Sequence, residues 1–208
     1  MSTRLASKAS PWARRKGALA PLALTGILSA LCAWQWLAGD DAVVGWLWDR
    51  AALDGGQWWR LISAHLVHLN VMHGVMNIAA TVLIFALVGT ATNTIGWILA
   101  WLMISLAVGL ALLQFDQQLS YYAGASGVLH GVVAFGALRL LRSRRYESAV
   151  LLAGLALKLC WEQWTGATAG TEALIGIPVV VNAHLYGALA GCAVFALFAA
   201  AARVHTNR

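Results

Sequence analysis

Ser126 and His184 are residues of the types that carry out acyl transfer. Ser126 stands among small residues in the segment 121–131 (YYAGASGVLHG), where a polar loop turns into an apolar helix. A serine at such a place is often a helix cap or a packing residue, and as a nucleophile it needs a base beside it. His184 can take the hydroxyl proton and later give it to a leaving amine, so the pair predicts cleavage of an amide bond.

The remaining parts of such a site are an orienting acid and an oxyanion hole. We expect no acid near the depth of His184, so the sequence predicts a Ser-His dyad rather than a Ser-His-Asp triad. The negative oxygen of a tetrahedral intermediate needs donors aimed at it. The predicted donors are the backbone N–H of Ser126 at a helix start, the Asn77 amide and the His73 ring. His73 and Asn77 are four residues apart, so they share a helix face.

His130 follows Ser126 by one helical turn and is therefore a rival base. Because it lies one turn deeper than the serine, the favoured interpretation is that it holds a neighbouring helix or a water. For Tyr186, aromatic packing is favoured over a place in the lining of the site. The residues expected to line the site are Gly124, Ala125, Gly127, His130 and Tyr186.

The composition of the chain indicates a membrane protein. Its 208 residues are 61% hydrophobic and 11% charged, whereas a soluble domain carries roughly 25% charged residues. The apolar residues form runs long enough to cross a hydrocarbon core of about 30 Å. The sequence therefore predicts one domain in the lipid bilayer. The pI of 9.7 does not indicate a nucleic-acid partner, because the basic residues stand where membrane topology requires them.

Six transmembrane helices are predicted from the apolar runs, with a long first loop over about 39–70 and a glycine- and threonine-rich loop over about 166–178. The first loop contains Trp46, Trp48, Trp58 and Trp59, and it is predicted to lie on or in the interface, because tryptophan favours membrane–water boundaries. The predicted helices cover about 17–38, 71–90, 95–114, 124–141, 148–165 and 178–202.

Charge asymmetry orients these helices. With a cytoplasmic N-terminus, eleven of the fourteen Lys and Arg residues fall inside, as the positive-inside rule requires. The predicted fold class is an all-α polytopic membrane protein, a six-helix bundle with both termini in the cytoplasm. A basic segment over 1–16 precedes the membrane domain over 17–203, and a tail covers 204–208.

The polar residues of three predicted helices fall at one depth. The second, fourth and sixth helices run from outside to inside. At 1.5 Å per residue, His73, Asn77, Ser126 and His184 lie within roughly 10 Å of the outer ends. Polar groups are costly in a bilayer and mark functional sites. Small residues four apart let helices approach closely, and the pairs expected to join the fourth and sixth helices are Gly127 with Gly131 and Gly187 with Gly191.

These motifs resemble those of the rhomboid family of intramembrane serine proteases. G-A-S-G over 124–127 is similar to the family's nucleophile motif, and H-G-V-M-N over 73–77 to the H-x-x-x-N of its second helix. A-H-L-Y-G-A-L-A-G over 183–191 resembles the helix that carries the catalytic histidine, and W-R at 59–60 the segment that leads into the second helix. The resemblance covers about 58–191.

The resemblance implies roles for individual residues. Ser126 would be the nucleophile and His184 its base, with His73 and Asn77 in the oxyanion site. The resemblance implies no cofactor and no metal. The first-loop tryptophans would belong to the family's membrane-embedded first loop.

A narrower resemblance is to the rhombosortase branch of that family. The short six-helix form, H-L-V-H-L-N over 65–70 and G-x-S-G-x-L-H-G over 124–131 carry it. It implies substrates anchored by a C-terminal tail, made of a Gly-Gly motif, a transmembrane helix and a basic cluster, on exported bacterial proteins. It also implies an enzyme of the bacterial inner membrane whose active site faces the periplasm.

Two other classes of function stay open. The first is an inactive relative that binds membrane helices. The second is a haem or metal protein, because imidazole is the commonest metal ligand. His65 and His68 also fit interfacial histidines that snorkel or bond to loop carbonyls. Lys158 is expected to pair with Glu162 or to point toward a membrane boundary. In the haem or metal interpretation, the potential ligands are His65, His68, His73, His130 and His184.

Overall fold

The structure, a computed structural model, describes residues 11–167 and 169–206. Residues 1–10 of the predicted basic segment and residues 207–208 of the predicted tail lie outside this range. Helices make up most of the described chain. They are α1 (Pro11–Ala38), α2 (Arg50–Asp54), α3 (Arg60–Ser63), α4 (Val71–Val88), α5 (Thr94–Phe115), α6 (Ser126–Leu140), α7 (Arg145–Thr165), α8 (Ala169–Ile175) and α9 (Val181–Thr206).

Within the described residues, four helical segments are long and apolar enough to cross a membrane, which confirms the prediction of a helical membrane protein. They are Pro21–Ala38, Val71–Ala91, Thr94–Phe115 and Val181–Val204. The apolar helix α6 is shorter, with 15 residues. The 21-residue α7 carries charged side chains that lower its hydropathy, among them Lys158 and Glu162. The count of six crossings therefore stays a prediction.

The predicted loop over 39–70 is largely structured. It contains a 3₁₀ turn (Asp40–Val43), α2, α3 and the strand β1 (Trp48–Asp49), which pairs antiparallel with β2 (Tyr121–Tyr122) just before α6. Arg60 is buried and donates to the carbonyls of Val44 at 2.8 Å and Leu47 at 2.7 Å. These bonds hold the loop in a folded-back conformation, which fixes where the chain enters α4.

The interfacial position of this loop stays a prediction, but one of its four tryptophans is buried inside the protein. Trp46, Trp58 and Trp59 are exposed, but Trp48 is fully buried, and its Nε1 donates to the carbonyl of Gly109 at 3.0 Å. That carbonyl belongs to α5, so Trp48 joins the first loop to a membrane helix. A buried indole N–H usually finds a hydrogen-bond partner, and a helix carbonyl is the partner here.

Helix α6 lies at the centre of the bundle, against α4, α5, α7 and α9. Its contact with α9 is the closest, because glycines face each other across it. A Cβ on Gly131 would lie 2.6 Å from the carbonyl oxygen of Gly187, and a Cβ on Gly187 would overlap the carbonyl oxygen of Gly127. Gly191 faces the carbonyl of Gly131 in the same way. The absence of side chains at these positions lets the two backbones touch.

The predicted loop over 166–178 contains the short helix α8, and α9 begins three residues later than predicted. Asn70, the cap of α4, accepts from the N–H of His73 at 2.9 Å and donates to the carbonyl of Ile175 at 2.6 Å. These bonds connect the end of α8 to the start of α4. Pro178 lies in the extended segment between α8 and α9.

Candidate active site

Ser126 and His184 meet where α6 and α9 begin. Ser126 is the first residue of α6, and His184 lies in the first turn of α9. The Oγ of Ser126 lies 3.0 Å from the Nε2 of His184, which is hydrogen-bond distance. Ser126 is half-buried, whereas His184 is 5% exposed. The hydroxyl can therefore meet a substrate while the imidazole is shielded by the protein.

Glu162 of α7 contacts the other nitrogen of the same ring. Its carboxylate oxygens lie 3.0 and 3.1 Å from the Nδ1 of His184, and the glutamate is 7% exposed. Its Oε1 also accepts from the Nζ of Lys158 at 2.5 Å, as the predicted pair requires. The expectation that no acid lies near His184 is wrong.

The sequence did contain a signal for this carboxylate. The prediction compares polar residues by depth on three helices that share one direction. Because α7 is antiparallel to them, its last turn lies at the level of their first turns. Glu162 lies three residues before the end of α7, about 4.5 Å along the axis. Its spacing from Lys158 indicates an ion pair within one helix. That spacing therefore gives no reason to expect His184 as a second partner.

The predicted oxyanion residues share a cavity with Ser126. Ser126, His73 and Asn77 line one cavity of about 310 Å³ together with His184 and Glu162. The Nδ2 of Asn77 donates to the carbonyl of His73 at 2.9 Å, and an amide nitrogen carries two N–H groups. The first N–H groups of α6 also point out of the helix start, where the helix dipole favours negative charge.

Gly124 shapes the turn before the serine. Its φ of +124° is one that other residues rarely adopt, and an added Cβ would lie 2.6 Å from the Cε1 of His73. Its N–H donates to the carbonyl of Ala64 at 2.9 Å, and its carbonyl accepts from the hydroxyl of Tyr122 at 2.8 Å. The turn is therefore held from both sides, and glycine leaves room for the His73 ring.

His130 lies beside the catalytic pair but bonds to the helix backbone. Its Nδ1 is 2.7 Å from the carbonyl oxygen of Ser126. Its ring stacks on that of His184, with centroids 4.2 Å apart and planes at 15°. In this arrangement Nδ1 donates to a carbonyl, so His130 supports the ring of His184 from one side.

Of the other predicted lining residues, Ala125 and Gly127 adjoin Ser126, whereas Tyr186 packs against another helix. Ala125 is fully buried, and a Cβ on Gly127 would lie 2.9 Å from the carbonyl oxygen of Ala183 in α9. The Tyr186 ring packs against Phe115, with centroids 6.0 Å apart. The Tyr186 ring thus makes the aromatic packing contact that was its favoured role.

His65 and His68 are not surface residues, so the snorkelling interpretation is wrong. His65 is fully buried, with Nε2 3.1 Å from the carbonyl oxygen of Ser105 and its ring against Tyr122. His68 packs edge-on against His73, with centroids 5.1 Å apart. Burial lowers the pKa of His65 to about 4 and that of His68 to about 3, so both rings are neutral at pH 7. His65 packs against Tyr122, just before the turn at Gly124, and His68 packs against His73.

Three side chains at the site could hold a metal ion. Ligand atoms of His130, Glu162 and His184 lie within 4.8 Å of one another, and two imidazoles with a carboxylate are a common donor set. Both nitrogens of His184 already have partners, in Ser126 and Glu162. A metal bound here would therefore compete with the Ser126–His184–Glu162 contacts.

A comparison with known protein families gives a match that includes all of these residues. Residues 55–201, more than two thirds of the chain, match the family described as Rhomboid domain. The matched region begins in the first loop and ends in α9. No curated protein matches the chain.

Proposed function

Because the chain belongs to the rhomboid family, whose members are in general intramembrane serine proteases, we propose that it is an intramembrane serine endopeptidase. Ser126 is the nucleophile and His184 the general base. The observation that carries this proposal is the 3.0 Å contact between Ser126 Oγ and His184 Nε2. Nucleophile and base within such reach are the signature of an activated serine.

The reaction proceeds through an acyl-enzyme. His184 Nε2 takes the hydroxyl proton as Oγ attacks the carbonyl carbon of the scissile bond. The tetrahedral intermediate collapses with cleavage of the C–N bond, and the proton passes from Nε2 to the leaving nitrogen. Water then attacks the acyl carbon and gives a proton to Nε2. The second tetrahedral intermediate collapses with cleavage of the bond between Oγ and the acyl carbon, and Nε2 returns the proton to Oγ. This step restores Ser126 and releases the new carboxyl end.

The oxyanion hole is formed around the start of α6. The backbone N–H of Ser126, the Asn77 amide and the His73 ring are its proposed donors. Support comes from the shared cavity and from Gly124, which leaves His73 room beside the serine. Donors fixed before the reaction stabilise the developing negative charge without having to reorganise.

In the bilayer, the chain crosses six times with both termini in the cytoplasm. The long helices α1, α4, α5, α6, α7 and α9 are the crossings. Helix α7 qualifies although it is less apolar, because Lys158 and Glu162 pair with each other and Glu162 also contacts His184. Intramembrane charges are tolerated when they are paired and face the protein.

The substrates are membrane-anchored proteins that reach Ser126 from the lipid. An apolar groove of about 420 Å³ between α4 and α7 extends to Ser126, with Ile84 and Leu155 among its walls. A substrate helix must unwind before its peptide bond can be attacked, which small helix-breaking residues facilitate. The resemblance to rhombosortases adds a narrower proposal, namely C-terminal Gly-Gly tails of exported proteins, cleaved at the periplasmic side of the bacterial inner membrane.

Release of a tail-anchored reporter tests this function. A soluble reporter followed by a Gly-Gly motif, a transmembrane helix and a basic cluster is coexpressed with the protein. We expect the reporter to be freed by the unmodified chain and retained with Ser126→Ala. Replacement of Gly-Gly by Leu-Leu should block release if the glycines set the cleavage position. Release that persists with Ser126→Ala would contradict the proposal.

A metal-binding function is the second candidate, favoured by the cluster of His130, Glu162 and His184. Elemental analysis and an absorption spectrum of the purified protein separate the two. The protease proposal predicts cleavage that a chelator leaves unchanged and no haem absorption band. Bound metal in stoichiometric amount, with loss of cleavage on chelation, would favour the second candidate. A folded protein without metal and without cleavage would indicate an inactive relative.

A further inference from the structure

Glu162 approaches His184 on the side of the ring opposite Ser126. Both carboxylate oxygens lie within 3.1 Å of Nδ1, and both residues are less than 10% exposed. We infer that Glu162 is a positioning residue that turns the serine–histidine pair into a Ser-His-Glu triad. This inference rests on the proposed function.

The carboxylate selects the tautomer that catalysis needs. With Nδ1–H donated to Glu162, the lone pair of His184 lies on Nε2, which faces the Ser126 hydroxyl. The imidazole becomes positively charged when it takes the serine proton. In a low-dielectric surrounding, an anion at about 3 Å stabilises that charge strongly. Glu162 itself keeps its charge and takes no proton.

Lys158 is the second charged partner of Glu162. Its Nζ lies 2.5 Å from Oε1, one turn earlier on α7. The lysine side chain is 48% exposed, whereas the glutamate side chain is 9% exposed. The lysine therefore meets the carboxylate on its exposed side, where solvent weakens the ion pair. The carboxylate contacts His184 on its buried side.

The triad draws its three members from three helices. Ser126 belongs to α6, His184 to α9 and Glu162 to α7. The outward face of α7 is exposed at Trp161 and Trp164, so this helix borders the surroundings of the protein. The basicity of His184 therefore depends on the packing of α7 against α9, which brings Glu162 to its Nδ1.

Substitution of Glu162 by its neutral isostere tests this role. Glu162→Gln keeps the shape but lacks the charge, and its amide can favour the wrong tautomer. We expect kcat and the rate of serine labelling by a fluorophosphonate to fall by about 10²- to 10⁴-fold. KM should change little, because the interaction acts on the transition state. Thermal unfolding in detergent checks that the variant folds.

Two further variants separate positioning from structure. Lys158→Gln breaks the same salt bridge but leaves the carboxylate on His184, so its labelling rate should fall by less than about 10-fold. Glu162→Asp keeps the charge on a shorter arm, so its rate should lie between those of the unmodified protein and Glu162→Gln. If Glu162→Gln does not fold, Glu162→Asp decides, with a rate expected below that of Lys158→Gln.

The outcomes distinguish this inference from the proposed function. An unchanged labelling rate in Glu162→Gln would overturn the triad, and so would equal losses in Glu162→Gln and Lys158→Gln. If Glu162→Asp has to decide, a rate equal to or above that of Lys158→Gln overturns the triad. If Ser126→Ala labels as the unmodified protein does, the proposed function itself fails. If Ser126→Ala is silent while Glu162→Gln is fully active, the triad alone fails.

Discussion

At the scale of single residues, the proposed role of Asn77 depends on where its two amide hydrogens are directed. Asn77 is 5% exposed and lies on α4 one turn below His73, whose carbonyl accepts one of its amide hydrogens. The second hydrogen of that amide is the one proposed for the oxyanion. The proposal therefore requires this hydrogen to reach the cavity rather than a partner within the fold.

Asn77→Ala should lower kcat by about 10- to 1000-fold and leave KM nearly unchanged, because one oxyanion donor among several is lost. Cleavage of a reporter by the purified protein measures both constants. Thr81→Ala is a matched control, since Thr81 lies one turn deeper on α4 and donates to the carbonyl of Asn77 at 2.7 Å. Equal kcat losses in the two variants would assign Asn77 a structural role only.

At the scale of elements, the contact between α6 and α9 sets the distance between Ser126 and His184. Gly187 lies three residues after His184, and Gly127 directly follows Ser126. A side chain between these glycines would push apart the two helix ends that carry the catalytic residues. Overpacking in a close contact costs about 1–3 kcal/mol.

Gly187→Ala should therefore lower both the thermal stability and the rate of serine labelling. Gly154→Ala is the control, because a Cβ on Gly154 of α7 would have no atom within 4 Å. The control should unfold at or above the temperature of the unmodified protein, since alanine favours helix over glycine. Normal labelling in Gly187→Ala would show that the glycine contact does not set the geometry of the site.

The long helices could be predicted from sequence because length and hydropathy decide them in a bilayer. Helices α4 and α5 begin and end within about two residues of their predicted limits. Helix α8 was not predicted, because seven residues rich in Gly, Ala and Thr carry no distinct period. The fold of the first loop also could not be predicted, since Arg60 and Trp48 bond to backbone carbonyls, which leave no trace in composition.

The candidate site could be predicted only in part. Ser126, His184, His73 and Asn77 were found because depth and spacing on three helices agree. Glu162 was missed because its nearest charge in sequence is Lys158, and only tertiary packing brings α7 against α9. The burial of His65 has the same origin, since its partner carbonyl belongs to Ser105, 40 residues away.

At the scale of the whole molecule, the proposed orientation fixes which side the site faces. The residues of the site lie at the N-terminal ends of α4, α6 and α9 and the C-terminal end of α7. With cytoplasmic termini, that level is the outer leaflet. The basic loop between α6 and α7, with Arg142 and Arg144, then faces the cytoplasm.

Reporter fusions test this orientation. Alkaline phosphatase, which is active only outside the cytoplasm, should be inactive when joined after residue 206 or at about residue 143. It should be active when inserted at about residue 117, in the loop between α5 and α6. The reverse pattern would place the site on the cytoplasmic side and would contradict the proposed access from the periplasm.

Serine labelling by a fluorophosphonate probe is the most direct test of the central claim, which is that Ser126 is activated by His184. We expect the folded, unmodified protein to be labelled, and both Ser126→Ala and His184→Ala to remain unlabelled while they keep their thermal transitions. Labelling that persists in Ser126→Ala, or a folded unmodified protein that the probe never labels, would contradict the claim.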